Sequence, residues 1–101
     1  MTYRIRRLPA ARNDLLQIWL SRAEYDEASA DRLLDTLEHA LTLIAEHPEI
    51  GPQRDDLAQG VRLFLRSPYL IAYQIDRAAE AIDIIRVVDG RRDLAALLTA
   101  D

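Results

Sequence analysis

Between Asp26 and His47 the apolar residues Ala30, Leu33, Leu34, Leu37, Leu41 and Ile44 recur mostly three or four apart, the spacing of one face of an α-helix. Asp31, Asp35, Glu38 and Glu46 fall largely on the other faces. Asp26, ahead of Glu27-Ala28-Ser29, suits an N-cap whose side-chain oxygen accepts a first-turn N–H. His47-Pro48 stops the helix, because proline disfavours helical geometry in the residue before it. A helix with one apolar stripe needs a second layer to cover it. The stripe of Leu33, Leu34, Leu37, Leu41 and Ile44 is therefore read as core.

The rest of the chain supplies that layer. Thr2 to Leu8 alternates loosely through Tyr3, Ile5 and Leu8 and suits a short strand. Pro9 fits a first helical position, where its missing N–H has no helical partner to lose. Ala11, Leu15, Ile18, Trp19 and Arg22 then follow at helical spacing to about Tyr25. Pro48 to Pro52 reads as a rigid connection and Gln53 to Gly60 as a polar loop. Val61 to Arg66, Tyr69 to Asp76 and Ala81 to Asp89 are rich in Val, Ile, Leu and Tyr, as strands are. Ser67-Pro68 and the polar stretch from Asp76 to Glu80 are short joints, which favour antiparallel neighbours. Asp89-Gly90 breaks the last strand; Gly90 is expected at positive φ, with Asp93 capping a final turn through Thr99. The reading is a single α+β domain over residues 1–101: an N-terminal strand, a two-helix hairpin, a three-stranded antiparallel meander and a short C-terminal helix. With 101 residues, half of them hydrophobic, one real core is possible.

The charge pattern narrows the chemistry. All 13 basic residues are arginine, so lysine mechanisms such as a Schiff base or a phosphate-loop lysine are excluded. Without cysteine there is no disulfide and no thiolate metal site. Residues 23–60 hold ten acids against two arginines, whereas residues 1–22 hold five arginines and one acid. A net charge of −4 gives weak overall steering toward nucleic acid. The first residues lack the apolar run of a secretory signal, and no stretch reaches the roughly 18 apolar residues of a membrane span. A cytoplasmic protein is expected. His39 and His47 suggest no third ligand, and neither a metal nor a cofactor is expected.

Several segments together resemble a known family. Ala11-x-x-Asp14-Leu15-x-x-Ile18 is similar to the opening helix of ParE-type toxins of the ParE/RelE superfamily, and Ile44-Ala-Glu-His-Pro48-x-x-Gly51 to their hinge. Gly60-Val-Arg62 with Tyr69-Leu-Ile-Ala-Tyr73 resembles their central strands, and Ile84-Ile-Arg86-Val-Val-Asp89-Gly90-Arg91-Arg92-Asp93 their terminal motif. The pieces run in order from residue 11 to residue 93. One position departs: Asp89 stands where the family commonly has histidine. An aspartate donates no proton at neutral pH unless its pKa is strongly raised, so a histidine-like acid or base role is in question there.

The resemblance implies a toxin of a type II toxin–antitoxin system, acting in plasmid stabilisation and growth inhibition. It would inhibit DNA gyrase by protein binding, without chemistry on a substrate and without sequence-specific nucleic-acid contact. A ParD-like antitoxin, whose C-terminal segment folds on binding, would hold it in a hetero-oligomer. The alternatives are a RelE-like ribosome-dependent mRNA endonuclease and a non-toxic member that only binds its antitoxin. For the antitoxin surface, a groove between hairpin and sheet is expected, with Leu16, Trp19 and Tyr25 as its apolar floor and Arg62, Arg66 and Arg86 as its basic rim. For the target surface, Tyr69, Tyr73, Asp89, Arg91 and Arg92 are the candidates. The plainer reading of the sheet arginines is ion pairing with Asp76, Asp83 or Asp93.

Overall fold

Asp26 caps the longest helix as its position suggests: its backbone is extended and its Oδ1 accepts the Ala28 N–H at 3.2 Å. In the computed structural model, which describes residues 2–99, the elements are β1 (Arg4–Arg7), α1 (Pro9–Ala23), α2 (Glu27–Glu46), β2 (Arg62–Arg66), β3 (Tyr69–Asp76), β4 (Ala81–Asp89) and α3 (Leu94–Thr99). Pro9 opens α1, and α2 ends before His47-Pro48, whose N–H at His47 returns to the Leu43 carbonyl at 2.8 Å. α1 closes at Ala23, two residues before Tyr25.

The strands form one sheet in the order β1-β4-β3-β2. β2, β3 and β4 make the antiparallel meander, from Arg66↔Tyr69 at the first joint to Asp76↔Ala81 at the second. The sequence left β1 unplaced. It lies parallel to β4, from Arg4↔Ala81 to Arg7↔Ile84, and its preceding Tyr3 N–H donates to the Ala45 carbonyl at the end of α2, 2.9 Å away.

Two apolar clusters hold these layers together. The larger joins Ala11 and Leu15 of α1, Leu37, Ala40, Leu41 and Ile44 of α2, and Ile71, Tyr73, Ile82, Ile84 and Val87 of the sheet. Leu33 and Leu34 are only partly buried and pack on its margin. The smaller cluster joins Val61, Leu63, Ala72, Val88 and Leu94, with Leu97 and Leu98 of α3 beside it. Between Ala72↔Arg86 and Tyr73↔Ile84 the β3–β4 register slips by one residue on β4. Such a bulge breaks the strict alternation of side chains. It lets Ile82 and Ile84 on one side, and Val87 on the other, enter the same core.

The hinge after α2 is locked from below. Tyr73 is fully buried, its hydroxyl donates to the Pro48 carbonyl at 2.7 Å, and it accepts the Gly51 N–H at 2.9 Å. Gly51 must lack a side chain, because a Cβ there would sit 2.5 Å from the Leu63 carbonyl oxygen. Gly90, by contrast, is not at positive φ; it passes close to Pro68, whose carbonyl accepts its N–H at 2.8 Å. Asp93 does cap α3, accepting the Ala96 N–H at 3.2 Å.

Tyr73→Phe keeps the ring but leaves the Pro48 carbonyl and Gly51 N–H without their partner. A loss of about 1–3 kcal/mol is expected in urea unfolding, with an unchanged m-value.

Candidate functional site

α1 carries apolar residues beyond its buried face: Ala11 and Leu15 are buried, while Leu16 and Leu20 remain exposed. It therefore stands as a ridge, with a hollow along each flank. Between α1, α2 and β1 runs an apolar groove of about 440 Å³, lined by Leu15, Leu16, Trp19 and Leu34, with Arg7, Arg12 and Glu38 at its edge. Trp19 is half-buried there, and its Nε1 donates to Asp31 Oδ1 of α2 at 2.9 Å. Arg7 is paired with Glu38.

The opposite flank faces the C-terminal end of β4. A cleft of about 470 Å³ lies between Asp14, Gln17, Ile18, Ser21, Arg22 and Tyr25 of the α1 segment and Tyr69, Val87, Val88, Asp89 and Arg92. Its inner wall is fixed by Asp14. Asp14 Oδ2 accepts from Arg86 Nε at 2.7 Å and from the Val87 N–H at 2.9 Å, and Oδ1 accepts from Arg86 Nη2 at 2.9 Å. Only 10% of the Asp14 side chain and 19% of the Arg86 side chain reach solvent. Two parallel N–H···O bonds give this pair direction as well as energy.

The expected site residues are thus distributed over four places. Leu16 and Trp19 share the hairpin groove. Tyr25, Tyr69, Asp89 and Arg92 share the other cleft, so Tyr25 does not join the floor expected with Leu16 and Trp19. The expected basic rim does not form. Arg86 is held by Asp14, and Arg62 donates to the Gly51 carbonyl at 2.8 Å, steadying the hinge. Arg66 lies with its guanidinium 5.5 Å from the Phe64 ring centroid, and its Nε is buried without a partner. Tyr73 supports the hinge from the core and presents nothing to a partner. Asp76 and Asp83 are indeed paired, but with Arg6, at 2.8 and 2.6 Å.

Asp89 is engaged by its own turn. Its Oδ1 accepts the Arg91 backbone N–H at 2.9 Å, and both its oxygens accept from the Arg91 guanidinium. These bonds hold its carboxyl down at about 2, well below the ordinary aspartate value, so it remains an ionised acceptor. Arg91 itself extends into solvent. Asp14, Gln17, Ser21 and Arg22 were not singled out as site residues from the sequence. Their signal was present, since 14, 18, 21, 22 and 25 recur at helical spacing and share one flank of α1.

Residues 5–94 match the model of the ParE toxin of the type II toxin–antitoxin system parDE. The chain is 33% identical over 69 residues to Toxin ParE3 of Caulobacter vibrioides, an alignment covering 68% of this chain and 67% of that one. Among solved structures it is similar to a chain of the toxin–antitoxin complex RelBE2 from Mycobacterium tuberculosis, with 27% identity and a TM-score of 0.66 over 88% of this chain and 99% of the other. The chromosomal ParDE system of P. aeruginosa contains a chain with the same fold, at 16% identity and a TM-score of 0.71, covering 87% of this chain and 96% of that one.

The Asp14 clamp should dominate the stability of this region. Asp14→Ala strands a largely buried guanidinium and an amide N–H together, and a loss of about 3 kcal/mol or more is expected in chemical denaturation. Arg91→Ala, at an exposed pair, should stay within about 0.5 kcal/mol of the parent in the same measurement.

Proposed function

The chain belongs to the ParE toxin family of type II toxin–antitoxin systems, and from that membership we propose that it inhibits DNA gyrase by binding and is neutralised by a ParD-like antitoxin. The observation that supports binding over bond cleavage is the engagement of the groups a nuclease would use. RNA cleavage needs a proton acceptor and a donor within reach of the reacting oxygens. Here Arg86 is clamped by Asp14, Tyr73 is buried at the hinge, and Asp89 is held ionised by Arg91. The chain also has no lysine to serve in their place.

The surface proposed to meet the target is the exit of β4, where Asp89, Arg91 and Arg92 stand beside Tyr69. Expression of the chain alone should then give filamentous growth arrest with a DNA-damage response, and the purified protein should inhibit supercoiling by gyrase. Arg91→Ala combined with Arg92→Ala should relieve both effects while leaving the melting temperature nearly unchanged. Rapid translation arrest with ribosome-dependent mRNA cleavage would overturn the gyrase reading in favour of a RelE-type nuclease. Growth without any arrest would identify a member that only binds its antitoxin.

The hairpin groove is the proposed seat of the antitoxin's C-terminal segment. An amphipathic helix suits it: apolar anchors fill the floor around Leu16, Trp19 and Leu34, and acidic residues meet Arg12 at the edge. Folding on contact costs several kcal/mol, so buried anchors must supply the affinity. Trp19→Ala, confirmed folded by circular dichroism because it also loses the Asp31 bond, should weaken antitoxin binding far more than Arg12→Ala. Equal losses in a titration of the two variants would move the seat away from this groove.

A further inference from the structure

Leu16 and Leu20 are 53% and 43% exposed, one helical turn apart on the outer face of α1, and the apolar groove with Trp19 and Leu34 opens beside them. A contiguous apolar strip on a small protein marks a contact surface. The charges along this strip are arranged about a centre. From the level of Ile18, Leu16 and Leu20 lie two residues to either side, and Arg12 and Glu24 six residues to either side. Glu24 keeps helical backbone angles past the end of α1, so at about 1.5 Å per residue the two charges lie about 9 Å from that level, in opposite directions. Glu27 stands near Glu24, at the start of α2. Among the described residues the side chains of Arg12, Glu24 and Glu27 have neither a hydrogen bond nor an ion pair.

We propose that this surface is an interface with a second copy of this chain, formed by two α1 helices packed antiparallel about a two-fold axis at the level of Ile18. An isologous contact requires a surface that is complementary to itself, and this one is. A half-turn sets Leu16 of each copy against Leu20 of the other. It also brings each Arg12 to the level of the other copy's Glu24 and Glu27. The two apolar grooves fall on the same side of the helix pair, so Trp19 and Leu34 of both copies border the contact. Parallel packing would instead set Arg12 against Arg12 and Glu24 against Glu24, which like charges disfavour.

The same distribution argues against a lipid surface as the occupant. Helices that lie on anionic bilayers are rich in basic residues on their polar face. Here an anionic surface would attract Arg12 and repel Glu24 and Glu27 of the same strip. The contact needs no antitoxin and stands or falls apart from the reading above. Because it covers Leu16 and borders Trp19, the dimer and a segment seated in the groove exclude one another.

The test is sedimentation of the purified full-length protein, free of antitoxin, over a range of concentrations. A monomer–dimer equilibrium is expected, with the dimer prevailing at high micromolar concentration. Leu16→Glu should leave only monomer, whereas Leu65→Glu, at the equally exposed leucine of β2, should leave the dimer intact. Arg12→Gln should weaken association about four- to ninefold, since the two-fold repeats the pair and each exposed pair is worth about two- to threefold. Two charge-reversed variants decide the geometry: Arg12→Glu alone, and Glu24→Arg with Glu27→Arg. Each should be monomeric by itself, and their mixture should dimerise, which also shows that both are folded. A monomer at every concentration, a dimer broken by Leu65→Glu and not by Leu16→Glu, or a mixture no more associated than its components would each overturn the proposal. So would a protein that stays monomeric but co-sediments with phosphatidylglycerol vesicles.

Discussion

The carboxylate of Asp14 governs the arrangement of this molecule. Leu16 and Leu20 extend the apolar surface of α1 beyond its buried face, so hydrophobic burial alone would accept more than one rotation of that helix against the sheet. The forked bonds from Arg86 and the added bond from the Val87 N–H select one rotation, because planar bidentate pairing tolerates little angular change. That rotation sends Ala11 and Leu15 into the core, turns Leu16 and Trp19 toward α2, and turns Ile18, Arg22 and Tyr25 toward the end of β4. Arg86 in turn occupies the bulged part of β4, next to the extra residue. A backbone irregularity, an ion pair and two surface hollows are thus parts of one mechanical unit.

An all-arginine set of cations suits such a design. The guanidinium offers several N–H groups in a fixed plane, which makes it a positioning device as well as a charge. Arg6 spans Asp83 and Asp76, tying β1 to the far end of the hairpin between β3 and β4. Arg62 serves the backbone carbonyls of the hinge, and Arg54 pairs within its loop with Asp56. Most arginines are therefore architectural, and among the described residues the side chains of Arg4, Arg12 and Arg92 have neither a hydrogen bond nor an ion pair, while Arg22 reaches only the Ser29 hydroxyl at 3.4 Å. Counting basic residues says little about binding in this chain; asking which of them lacks an acceptor says more.

The elements were legible where local chemistry speaks loudly. α2 has a cap, a stripe and a proline stop, and each strand of the meander is bounded by short polar joints, so their limits follow from neighbouring residues. The parallel placement of β1 was not legible, since four residues carry no mark of which distant strand they will join. Gly90 showed the limit of reasoning by residue type: its small size serves a close approach to Pro68, not a left-handed turn. Among the site residues, Leu16 and Trp19 line one hollow, and Tyr69, Asp89 and Arg92 line the other together with Tyr25. Arg62 and Tyr73 were misread because their partners are backbone groups of the hinge, 11 and 25 residues back along the chain, which no side-chain pattern announces.

The pairing of β1 with β4 also has a meaning in time. Residues 4–7 are made before the other strands, yet their neighbours in the sheet are residues 81–84, separated by both helices, β2 and β3. Contacts so far apart along a chain form late, because the intervening loop must be closed before they reward it. Arg86, to which Asp14 is anchored, arrives later still. A nascent copy therefore lacks both its outer strand and the clamp that orients α1 until nearly all of its β-structure has left the ribosome. The topology thus postpones both hollows beside α1 until the last strand of the sheet has been made.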